Sequence, residues 1–110
     1  MATTYFSIAY TDVTELIPDT NATQTQIESL AQDIEYDVMN RLDLSAAPSD
    51  TIELGSLKRA IILLSAAAVE SRQPHSAQDG SFSVQAFNRH LWEREAEQII
   101  RRFEYDFQKT

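Results

Sequence analysis

The sequence predicts an all-α fold: a small bundle of one short and three longer helices. Three observations carry this. Apolar residues recur at helical spacing through most of the 110 residues. Glycine and proline are scarce, at 2 and 3, which disfavours a turn-rich β-sandwich. Residues 57–69 form an apolar run of helical composition, with the small residues Ala66, Ala67 and Ala68 allowing close approach of neighbours. The length and a hydrophobic content of 43% suit one globular domain spanning 1–110.

Residues 1–9 alternate weakly through Tyr5, Phe6 and Ile8 and read as an N-terminal arm or short strand. Residues 11–17 form a short helix that Thr11 or Asp12 can cap and that Pro18 ends. The next helix starts near Thr23, where Thr23 with Gln26, or Thr25 with Glu28, makes a capping box. Its apolar stripe is Ile27, Leu30, Ala31, Ile34, Val38 and Leu42, and Gln32, Asp33, Glu35, Asp37 and Asn40 form an acidic solvent side. Residues 44–49, with Pro48, break it. Asp50 with Glu53 caps the third helix, in which Gly55 is a weak point and 57–69 is apolar nearly all round, as befits the centre of a core.

Residues 73–83 hold Pro74, His75, Asp79 and Gly80, and the Asp79-Gly80 turn signal before Ser81-Phe82-Ser83-Val84 fits an extended loop or a short β-hairpin arm. With only Phe82 as a large apolar residue, this segment is expected to order only in an assembly. The last helix covers 84–107, longer than such a domain needs. Its inward stripe is read as Phe87, Leu91, Ala96, Ile99, Phe103 and Phe107, leaving Trp92, Ile100 and Tyr105 off it. The expected core centres on Leu57, Ile61, Leu64 and Ala68, packed by Ile27, Leu30, Ile34 and Val38 and by Leu91, Ile99 and Phe103.

Charge divides the chain. Residues 1–55 carry ten acids and one base, Arg41, for a net −9; residues 56–110 carry seven acids and eight bases, for +1; the whole is −8. A half of such acidity cannot neutralise phosphates, and Arg101-Arg102 lies among Glu97, Glu104 and Asp106, so nucleic-acid binding is not expected. The acidity reads as a solubilising face, as one half of an electrostatic match between copies, or as the mark of a halophilic source.

No catalytic signature is present. There is no cysteine, and therefore no disulfide or thiolate site. His75 and His90 are too far apart in sequence, and too poor in companions, for a metal site. Glu93 and Glu97 at i, i+4 read as a solvent face, with Glu97–Arg101 a favourable ion pair. Ser65 and Ser71 lack a His and Asp arrangement, and no nucleotide-binding glycine motif occurs. The chain is expected to be no enzyme and to need no cofactor or metal. Residues 1–10 lack the pattern of a signal peptide, and the apolar run 60–69 is too short to span a bilayer, so no membrane partner is expected.

The order of pieces resembles a known family. Tyr10-Thr11-Asp12-Val13 to Ile17-Pro18, then Gln26-Ile27-Glu28 to Met39-Asn40-Arg41-Leu42, then Leu57-Lys58-Arg59-Ala60-Ile61-Ile62-Leu63-Leu64, Gly80-Ser81-Phe82-Ser83-Val84, and Trp92-Glu93-Arg94-Glu95-Ala96-Glu97 together look like the head–tail connector, or adaptor, proteins of tailed viruses, over about residues 10–107. The resemblance implies a structural virion protein. It implies a homo-oligomeric ring, commonly of twelve copies, beneath the portal. That ring would join the portal to a neck or tail-completion protein at the head–tail junction, after assembly in the host cytoplasm, with DNA passing through and not bound by sequence. On that view Phe82, Val84, Trp92, Tyr105 and Phe107 are candidate subunit or portal contacts, and His75, Asp79 and Gly80 belong to an arm reaching a neighbour. The alternative is a small acidic regulatory or antitoxin-type protein acting as a dimer.

Overall fold

A computed structural model describes residues 3–18, 20–72 and 80–108, and side chains over 3–18, 20–71 and 88–105. Among these residues the chain is all-helical, without strands: α1 (Tyr10–Thr14), α2 (Gln24–Arg41), α3 (Thr51–Arg72) and α4 (Gly80–Gln108). Helix α3 is the hub, packing against each of the other three. Its buried residues Leu57, Ala60, Ile61, Leu63, Ala66 and Val69 leave hardly any side of it in water, as its all-round apolar sequence requires.

The helix ends follow local chemistry. Thr23 and Gln26 form a reciprocal capping box: Gln26 N–H donates to Thr23 Oγ1 at 3.2 Å and Thr23 N–H to Gln26 Oε1 at 2.9 Å. Asp50 Oδ1 accepts from Ile52 and Glu53 N–H at 2.9 and 3.0 Å and starts α3. Helix α2 stops before Pro48 is reached. Asp43 turns left-handed, with φ 56°, and the N–H groups of Asp43 and Leu44 donate to the carbonyls of Asn40 and Met39. This is a Schellman ending with a non-glycine residue in its left-handed position. In α1, Asp12 Oδ2 accepts Ala9 N–H at 2.9 Å, so Asp12 works from inside the first turn.

Three expectations change. Residues 3–9 are neither a free arm nor a strand. Phe6 and Ile8 are core residues, and the segment closes on itself through Thr3 N–H to Ile8 O at 3.1 Å and Ile8 N–H to Thr3 Oγ1 at 2.8 Å. The segment is held by α2. Gln32 Oε1 accepts Thr4 N–H at 2.9 Å, Glu35 Oε1 accepts Tyr5 N–H at 2.8 Å, and Glu35 Oε2 accepts Phe6 N–H at 3.0 Å. Glu35 is thus fully buried and not on the acidic solvent side. Its two oxygens supply what the folded-in backbone lacks.

The inward stripe of α4 is the second change. Ile100 is buried together with Ala96 and Phe103, while Leu91 is 44% exposed. Five residues turn a helix through about 500°, so Leu91 and Ala96 lie about 140° apart and cannot share a face. Trp92 and Ile99 pack half-buried against the core. Third, α4 begins at Gly80, earlier than residue 84. The loop or hairpin expected over 73–83 falls over 73–79, with His75 and Asp79, outside the described residues.

Two expected outcomes follow from this packing. Glu35→Ala strands the buried N–H groups of Tyr5 and Phe6 and should cost about 2–4 kcal/mol, with Glu35→Gln costing about half because one acceptor remains; denaturant unfolding measures both. Ile61→Ala should cost about 2–5 kcal/mol and Leu64→Ala about 1–2, since Leu64 and Ala68, expected at the core's centre, are only half-buried.

Candidate interaction site

Helices α2 and α4 flank α3 and leave an open cleft of about 740 Å³ between them. Its apolar wall is Ile34, Val38, Leu64, Ala67, Ala68 and Ile100, and its rim carries Asp37 and Arg41 from α2 and His90, Glu93, Arg94 and Glu97 from α4. The cleft exists because α3 holds both flanking helices through its own side chains, and its Ala67 and Ala68 are too short to fill the space between them.

Arg41 ties the rims together. Its guanidinium donates to both oxygens of Glu97, at 2.8 and 2.5 Å, and through Nε to Glu104 at 2.6 Å. One arginine at the end of α2 thereby clamps α4 at two points about two turns apart, in a fork geometry that lysine cannot copy. Glu97 also accepts from Arg101 at 3.2 Å, the i, i+4 pair expected from sequence. The Arg41 guanidinium, helped by Arg101, holds the Glu97 carboxyl far below the usual range, at about 2, and Glu97 in turn raises the Arg41 pKa. Glu93 and Glu97 do share the cleft rim, yet Glu97 is committed to these cations and Glu93 stands at 4.0 Å from Arg89. Ser65 Oγ donates to Ile61 O at 2.7 Å, a contact within its own helix.

Tyr105, a candidate contact, is 59% exposed, while Trp92 is half-buried against the core and is shared between packing and surface. Gly80, Phe82, Val84 and Phe107 are placed within α4, with side chains outside the described residues. Sequence reasoning missed Leu91, whose exposure was hidden by assigning it to the inward stripe. It also missed Arg41: a lone cation in an acidic half was the available signal.

The fork predicts a pH dependence. Glu97 has a folded pKa of about 2 against an ordinary 4.5, so its contribution is present above pH 4.5 and is lost as pH falls from there through about 2. Because the pair is over a third exposed, solvent screening reduces that contribution to roughly 1 kcal/mol. Glu97→Gln should lower stability by that amount at pH 7 and flatten the acid limb below pH 4.5; thermal melts across pH check it.

Among known proteins, the chain matches no family model, no curated protein and no solved structure.

Proposed function

We propose that this chain is a head–tail connector adaptor, a structural virion protein. It forms a ring under the portal, commonly of twelve copies, and joins the capsid to a neck or tail-completion protein around the DNA channel. The observation that carries the reading is the surplus of α4. At 29 residues it is roughly 43 Å long, in a molecule whose extents are 51 × 27 × 20 Å. A helix of that length is more than a small domain needs to cover its own core. Its surplus surface, with Leu91 and Tyr105 exposed, suits contact with neighbouring molecules.

The acidity supports the same reading. A lumen that repels phosphates lets DNA slide, and exposed acids of the acidic half, residues 1–55, such as Glu15, Asp43 and Asp50, suit such a wall. The ring surrounds DNA without gripping it.

A regulatory or antitoxin-type dimer is the second reading. It draws on the exposed carboxylates of α2, Asp33 and Asp37, which form a surface for a basic partner.

Cryo-electron microscopy of assembled particles tests the first reading directly: density for this chain is expected between portal and tail, and its location anywhere else rejects the assignment. The isolated protein is also expected to show no micromolar affinity for duplex DNA at physiological salt, as titration of labelled duplex would reveal. Solution mass with portal present separates the two readings, a dimer indifferent to portal favouring the second.

A further inference from the structure

The outward faces of α2 and α4 are unlike in charge. On α4, the residues pointing away from the core are Leu91, Arg94, Gln98, Arg101, Arg102 and Tyr105, all exposed. They recur at three- and four-residue steps and make one stripe, about 21 Å long from Leu91 to Tyr105. Arg94 and Arg102 have no ion pair among the described residues, and Arg101, paired with Glu97, is still 75% exposed. The outward face of α2 is Ser29, Asp33, Tyr36, Asp37 and Asn40, also exposed. Asp33 and Asp37 are likewise without an ion pair among the described residues, and Tyr36 stands edge-on to Tyr5, ring centroids 6.3 Å apart.

We propose that copies of this chain associate head to tail, the basic outer face of α4 in one copy lying on the acidic outer face of α2 in the next. The charges select unlike faces over like ones. Two α4 faces brought together would oppose arginine to arginine, and two α2 faces aspartate to aspartate, whereas the unlike faces neutralise each other. The exposed Leu91 and Tyr105 at the ends of one stripe, and Tyr36 on the other, give the contact its apolar part. In the head-to-tail arrangement the contact is heterologous and leaves one face of each kind free at every step. The head-to-tail form, over a reciprocal two-fold pair, and its closure into a ring rest on the connector reading; the unlike-face contact itself does not. A single helix-on-helix contact of this length is smaller than the ~800 Å² per partner of a stable interface. Each contact is therefore weak and salt-sensitive, and assembly strengthens when a ring closes or a template gathers the copies.

Charge reversal tests the pairing in the full chain by sedimentation velocity, at about 20 mM and about 500 mM salt. Wild type is expected to self-associate at low salt and to dissociate at high salt. Arg94→Glu with Arg102→Glu, and separately Asp33→Lys with Asp37→Lys, should each weaken self-association about tenfold or more, while circular dichroism shows unchanged melting for these surface positions. Mixing the two variants, or combining all four substitutions in one chain, should restore association to within about threefold of wild type, because each reversed face again meets its opposite. A wild type that stays monomeric at low salt overturns the proposal. So does association that survives either reversal, or a four-fold variant that stays dissociated. Rings that form and seat on a portal despite either reversal alone would sink this contact while leaving the connector reading intact.

Discussion

Helix α3 has to be surrounded. Its residues are apolar on nearly every side, and exposing any of them to water costs about 25 cal/mol per Å². No single partner can cover a cylinder, so the chain wraps it, with α4, α2 and α1 each packing against it. The folded-in segment of residues 3–9 adds Phe6 and Ile8 to the same core. The topology follows from that one demand. What is left open is the strip where Ala67 and Ala68 are too short to reach either flank, which is the cleft between α2 and α4.

Two charged residues of the first half then shape how the wrapping is secured, in opposite ways. Glu35 is an acid turned inward. It sits at zero exposure because two backbone N–H groups of the folded-in turn, those of Tyr5 and Phe6, need acceptors. A carboxylate provides both at once, where a ladder partner would otherwise be needed. Arg41 is the lone base of an acidic half, and it reaches across to Glu97 and Glu104 on the last helix. It joins helices that α3 keeps apart and sets the spacing of the cleft's rims. The acidic half is thus more than a solubilising coat.

Once these groups are committed, the remaining charges lie on surfaces that the core does not use. The outer side of α2 keeps its aspartates and the outer side of α4 its arginines, so the charge asymmetry between halves of the sequence becomes an asymmetry between two faces of one molecule. A head-to-tail contact uses both faces at every step, and it is compatible with a ring wall whose acidic remainder faces DNA. In the proposed ring, the long α4 would give such a wall height beyond the domain's own core.

The sequence by itself determined the helical class, the capping box of Thr23 and Gln26, the start of α3 at Asp50 and the central place of residues 57–69. Each of these depends on local backbone chemistry or on composition, which a linear reading sees. Pairing of Glu97 with Arg101 was legible for the same reason, because i, i+4 neighbours meet on any helix. Only the tertiary structure decided the rest. Glu35 looks like a solvent residue until a segment 29 residues away folds beneath it and offers two N–H groups. The face of α4 was misread through Leu91, because periodicity restricts which residues share a stripe, while the choice between overlapping stripes belongs to the helix it packs against. Arg41 gained its role from a fork to residues 56 and 63 positions onward, a distance no local rule spans. The cleft, too, is a product of packing: it is made by two helices held apart by a third.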